Sequence, residues 1–129
     1  MRCQEDQSTV LHMTDWKSYA LAKPGAWPDE PWEGDLVAKV ADKIFVFLGG
    51  SGSGEVTSLG VKCGHRDAAD EWLQRYPEDA ATMAYIGQHG WNTLAVGARI
   101  PDDELRDAID MSYDLIVAKL PKRVRDALT

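Results

Sequence analysis

PDDELRDAIDMSYDLIVAKL, residues 101–120, is the stretch whose reading decides the fold. Pro101 suits a first helical position, and Asp102, Asp103 and Glu104 put negative charge at the positive end of a helix. Apolar side chains recur at Leu105, Ile109, Leu115, Ile116 and Leu120, and Ala108, Met111 and Ala118 widen that face. This is a helical period with one buried side. Pro121 stops it, and Lys119, Lys122 and Arg123 suit its negative end. Such a helix needs a surface to cover, and the β-rich runs before it supply one.

Leu36 to Val40 alternates, with Leu36, Ala38 and Val40 on one face and Val37 and Lys39 on the other. Asp42-Lys43 serves as a tight turn. Ile44 to Leu48 is a continuous apolar run, as a central strand requires. GGSGSG at 49–54 reads as a hairpin loop, since it lacks the lysine and following helix of a phosphate-binding loop. Val56 to Cys63 alternates again, turning Leu59, Val61 and Cys63 to the core and Lys62 away from it. Arg66 to Tyr76 predicts a helix burying Ala69, Trp72, Leu73 and Tyr76. Met83 to Ile86 predicts a short edge strand and Trp91 to Val96 the last strand. At the front, Thr14 caps a short helix running to about Ala22. Residues 23–35, KPGAWPDEPWEGD, read as an ordered loop with Trp27 and Trp32 folded onto the core. The expected organisation is a weakly ordered lead over 1–13, with Met13 an alternative start to Met1, and a single domain over 14–129. Its class is α+β, with a mainly antiparallel sheet, helices on one face and the other face partly open.

The composition is that of a soluble globular chain, 44% apolar and 27% charged. A formal charge of −7 argues against a protein that coats nucleic acid non-specifically, yet leaves room for a local basic patch. There is no apolar run of membrane-spanning length and no secretory leader pattern, so no membrane partner and a cytoplasmic location are the expectations. Cys3 and Cys63 make neither a disulfide framework nor a metal set. His12, His65 and His89 show no metal-binding spacing, and no GxSxG elbow is present. A non-enzymatic protein without metal, cofactor or catalytic residues is therefore expected. The basic residues say more. Lys39 and Lys62 project opposite the core residues, Lys43 sits at the connecting turn, and Lys119, Lys122, Arg123 and Arg125 make the C-terminal end positive. His89 and Trp91 flank a glycine before the last strand. Together these residues make an anion-binding surface, weighed against a plain role in solubility and helix-end electrostatics. Trp91 also reads as an aromatic packed at the sheet edge. Ser112 and Tyr113 also read as docking residues of the helix, Ser112 by bonding back to the carbonyl one turn earlier.

Five stretches carry a family resemblance: KPGA at 23–26, LVAKVADKIF at 36–45, LGVKC at 59–63, HGWNTLAV at 89–96 and IPDDELRDAIDMSYDLIVAKLPK at 100–122. In this order, over 14–123, the chain resembles the MmcQ/YjbR-like family. The resemblance implies a CyaY-like fold, an antiparallel sheet with flanking helices and a long C-terminal helix. Proteins of that family are described as predicted DNA-binding proteins with a double-wing arrangement. The resemblance thus points to Lys39, Lys43, Lys62, His89, Trp91 and Lys119 as nucleic-acid contacts, with Ser112 and Tyr113 as further positions of interest. Gln88 stands where the family pattern often has another basic residue. The acidic iron site of frataxin relatives is carried by no motif here. The expectation is DNA binding through the lysine-bearing sheet face, by a monomer or weak dimer. The alternative is a non-enzymatic module that binds an acidic or aromatic small molecule near Trp27, Trp91 and His89, or a protein partner.

Overall fold

The structure, a computed structural model, describes residues 15–32, 35–50, 56–83 and 86–128. Its elements run α1 (Trp16–Leu21), β1 (Ala26–Trp32), β2 (Asp35–Val40), β3 (Lys43–Gly50), β4 (Val56–Lys62), α2 (Arg66–Arg75), β5 (Ala80–Thr82), a 3₁₀ turn (Gly87–His89), β6 (Trp91–Ala95), α3 (Asp102–Val117) and α4 (Lys122–Asp126). The strands form one sheet in the order β1-β2-β3-β4-β6-β5, antiparallel at every pairing. The α+β class and the antiparallel sheet with flanking helices are as the sequence led us to expect.

Two rows of facing residues build the core. Ala38, Val46, Val61 and Asn92 stand opposite one another across β2, β3, β4 and β6, and Leu48, Leu59, Leu94 and Ala80 do so one step along. Trp16 and Ala20 of α1, Ala69 of α2 and Leu105, Ala108, Ile109 and Tyr113 of α3 pack onto that face. Phe45, Leu59, Leu94, Leu105 and Ile109 lose essentially all solvent contact. Each such burial stabilises the fold by roughly 1.5–3 kcal/mol. The opposite face carries a smaller cluster. Val37 is fully buried there, and Phe47 meets Trp91 edge to face at 5.7 Å. The sulfur of Met83 lies over Gly60, 2.9 Å from where a Cβ would stand, so a side chain there would push the Met83 thioether aside.

Several local expectations are corrected. Residues 26–32 are a strand rather than part of a loop. The prolines that rule out a helix are tolerated because β1 is an edge strand, where a missing N–H breaks no inner ladder. Trp27 is 40% exposed and does not fold onto the core; its indole N–H donates to the Ala41 carbonyl at 2.9 Å. The side chain of Trp32 lies outside the described residues, as do residues 1–14 and 51–55. The first tight turn is Ala41-Asp42, since Val40 already faces Lys43, and Ala41 takes the left-handed conformation at φ 54°. The edge strand after α2 is Ala80–Thr82, earlier than the expected Met83 to Ile86. The long helix starts one residue after Pro101 and ends at Val117. Just beyond its end, the guanidinium of Arg125 donates to the carbonyls of Ala118 and Leu120 at 3.2 and 3.1 Å.

Candidate functional site

β3 and β4 part at one end of the sheet. Their register closes with Val46 opposite Val61, and a bulge in β3 against β2 leaves Phe45 out of the ladder. Ser112 fills the gap. Its hydroxyl donates to the Phe45 carbonyl at 2.6 Å and accepts from the Lys62 N–H at 2.9 Å. This corrects the expectation that Ser112 bonds back along its own helix. Tyr113 beside it stacks edge-on against Phe45 at 5.1 Å and donates its hydroxyl to the Pro24 carbonyl. Both side chains are buried and tie α3 to the sheet and to the end of α1.

Beyond Lys62 the chain turns sharply. Gly64 and Gly90 both have positive φ, 98° and 91°, and the Cys63 N–H donates to the Gly90 carbonyl at 2.7 Å. A Cβ on Gly90 would stand 1.7 Å from the Gly64 carbonyl oxygen. This close pass brings the start of α2 beside the 3₁₀ turn. Arg66 locks the pair. Its guanidinium donates to Asp70 at 2.9 Å, to Asn92 at 2.8 Å and to the Gly87 carbonyl, while the Asn92 amide donates to the Ala69 carbonyl at 2.8 Å. Asn92 is fully buried with both ends of its amide satisfied.

A cleft of about 610 Å³ opens at this end of the sheet, between α3, the start of α2 and the 3₁₀ turn. Lys62, His65, Arg66, His89 and Lys119 line it, with Gln88 the other polar side chain. Trp91, Ile86, Leu115 and Ile116 supply its apolar wall. Among the described residues no aspartate or glutamate lines it, in a chain that carries 21 of them. Lys62 donates to the His89 carbonyl at 2.6 Å, which holds its ammonium at the cleft wall without neutralising it. Burial, and then the charge of Lys119, lowers the pKa of Lys62 from the ordinary lysine value. Two lysines therefore share one cleft wall, and among the described lining residues no carboxylate accompanies them. His65 starts α2 without any side-chain cap, so the first N–H groups of that helix also border the cleft without a capping side chain.

The candidate residues thus divide. Lys62, His89, Trp91 and Lys119 come together. Lys39 and Lys43 do not line the cleft. Lys39 is paired with Asp29 at 3.2 Å and lies over the Trp27 ring at 4.9 Å, a neighbourhood hidden while 23–35 was read as a loop. Trp91 is 8% exposed and belongs to an inner strand, not to the sheet edge. His65 and Arg66 are the cleft residues that the sequence reading did not single out. Their signal was the Gly64-His65-Arg66 run at a strand-to-helix turn.

Cys63 is buried directly behind this wall, and burial pushes its thiol up to about 11. It should resist alkylation in the native protein at neutral pH and react on denaturation, which peptide mapping after labelling would read. The folded thiol holds its proton to higher pH than the unfolded one. Stability is therefore expected to fall as pH rises from about 9, where an unfolded cysteine ionises. No group of histidine, cysteine, aspartate or glutamate side chains among the described residues is arranged to hold a metal ion. None of the described helices is long and apolar enough to cross a membrane.

The fold and the cleft together define an α+β domain with an antiparallel sheet and a basic concave site. The YjbR family model matches residues 21–115, and the chain belongs to that family. Among solved structures, Deinococcus radiodurans protein DR2400, a DUF419 domain, is 21% identical with a TM-score of 0.77, the match covering 88% of this chain and 85% of that one. A protein from Pseudomonas syringae is 18% identical with a TM-score of 0.60, covering 80% of this chain and 98% of that one. These likenesses bear on the fold. No curated protein matches the sequence.

Proposed function

We propose that this chain is a non-catalytic binding module that takes an anionic small molecule in the cleft at the end of its sheet. The observation that carries the reading is the convergence of Lys62 and Lys119 on one concave site with no acidic side chain among the described lining residues, where the charge of Lys119 helps lower the pKa of Lys62. Like charges held together cost free energy, and an anion between them recovers it. The volume falls in the range of small-molecule sites, roughly 300–1,000 Å³. Duplex DNA binding is the second reading, because Lys62, His89 and Lys119 are among the positions to which the family pattern points. Against a broad phosphate-tracking face stands the pairing of Lys39 with Asp29. Thiol-based catalysis finds little support, since Cys63 is buried and holds its proton.

Sulfate, whose charge is constant across the pH range of interest, is the test probe. Calorimetric titration should show binding that weakens about ten-fold in Lys119→Glu, a change of ~1.4 kcal/mol, while the variant melts no lower than wild type. Affinity should be full below the lowered pKa of Lys62 and fall as pH rises through it, because the neutral amine no longer attracts the anion. No sulfate binding, or binding indifferent to Lys119, sinks the reading. A duplex whose binding survives physiological salt and is lost when Lys39 and Lys43 become alanine would favour the DNA reading instead.

A further inference from the structure

We propose that the ligand of the cleft is a phosphate monoester of an apolar or aromatic body, with its phosphate between Lys62 and Lys119 and its body laid against Trp91, Leu115 and Ile116. This deepens the anion-binding reading and rests on it. Two features select the head group. The guanidinium of Arg66 is already committed to Asp70, Asn92 and the Gly87 carbonyl, so it cannot offer the paired N–H fork that best recognises a carboxylate. What remains are two lysine point charges, two imidazoles and the uncapped start of α2, a set suited to a compact dianion with several equivalent oxygens. A third feature selects the body. Leu115 and Ile116 are partly exposed on α3 and face the cleft, and the apolar side chains outnumber what a bare inorganic anion can cover. Trp91 closes the wall and is itself held by Phe47. An inorganic ion would leave this surface wet, and an apolar ligand without a charged head would leave the two ammonium groups uncompensated.

The site is built from three separated parts of the chain that the fold brings together: Lys62 to Arg66, Ile86 to Trp91 and Leu115 to Lys119. Among the described residues no ion pair involves Lys119, and Lys62 is held by a backbone carbonyl rather than a carboxylate. The positions that carry the charge and the positions that carry the apolar contact are distinct, so each half of the proposal can be removed without the other.

The test is a calorimetric comparison of phenyl phosphate, inorganic phosphate, benzoate and benzyl alcohol on the full chain near neutral pH. Phenyl phosphate should bind about ten-fold more tightly than inorganic phosphate, the increment expected from burying an aromatic ring. Benzoate should bind more weakly than phenyl phosphate, and benzyl alcohol should give no heat. Leu115→Asn, at a partly exposed helix position, should bring phenyl phosphate down to the affinity of inorganic phosphate and leave the latter unchanged. Lys119→Ala should weaken both. Equal affinity for the two phosphates, or indifference of phenyl phosphate to Leu115→Asn, overturns the apolar-body claim while the anion reading stands. Benzoate binding as well as phenyl phosphate overturns the phosphate claim in the same way. Failure of every anion to bind removes both readings. Displacement of phenyl phosphate by a short duplex at physiological salt would overturn the small-molecule occupant in favour of DNA.

Discussion

Gly90→Ala should destabilise the protein by about 4 kcal/mol, the largest effect expected of any conservative change in this chain. Two costs combine. The first is conformational: φ at this position is 91°, and a side chain there costs roughly 1–2 kcal/mol. The second is a collision. The new methyl would stand 1.7 Å from the Gly64 carbonyl oxygen, and backbone cannot yield as a flexible side chain can. Relief requires the two turns to separate. That breaks the hydrogen bond from the Cys63 N–H to the Gly90 carbonyl and draws the start of α2 away from the 3₁₀ turn. Gly97 provides the control. Its φ is 75°, yet nothing lies within 4 Å of its would-be Cβ. Gly97→Ala should cost about 1 kcal/mol, the conformational part alone. Urea midpoints of the two variants decide the matter, and a Gly90 variant no weaker than the Gly97 variant would contradict the close-pass account.

Ser112→Ala should cost about 2–3 kcal/mol, far more than the loss of one exposed hydroxyl. The side chain is fully buried and satisfies two backbone groups at once, the Phe45 carbonyl and the Lys62 N–H. These groups lack ladder partners there because β3 and β4 have parted. Alanine would leave both groups without this partner, the Phe45 carbonyl in a buried position. The position therefore holds the sheet end to the helix, and its importance is structural. Denaturation midpoints read the cost; a variant as stable as wild type would show that the two backbone groups find other partners.

How far the sequence carried the fold depends on the length of each pattern. Leu105, Ile109 and Leu120 repeat over enough turns to declare a helix, and Ile44–Leu48 is too apolar to be anything but an inner strand. β5 was displaced because Ala80-Ala81-Thr82 holds no period in three residues. β1 was missed because Pro28 and Pro31 signal a loop to any local rule, and only the position of the strand at the sheet edge makes them acceptable. With Trp27 and Asp29 in a loop, nothing in the sequence gives Lys39 a partner, and it falls with Lys62 on one expected functional face. The cleft residues themselves, Lys62, His89, Trp91 and Lys119, were legible as basic and aromatic positions. Their convergence was not, because it depends on a pass between Gly64 and Gly90 that joins segments 26 residues apart in number. The helical marker 101–120 likewise carried more than packing. Its C-terminal end contributes Leu115, Ile116 and Lys119 to the cleft, while Ser112 and Tyr113 secure it to the sheet.

The central claim is that anions bind in the cleft that Lys62 and Lys119 line. An amide-resolved NMR titration of the full chain with phenyl phosphate tests it most directly. The account predicts that shifts concentrate at Lys62, Gly64, Arg66, His89, Trp91 and Lys119, and that about ten-fold more ligand is needed to reach them in Lys119→Glu. Shifts centred instead on Lys39, Lys43 and Trp27, or spread evenly over the surface, would contradict it.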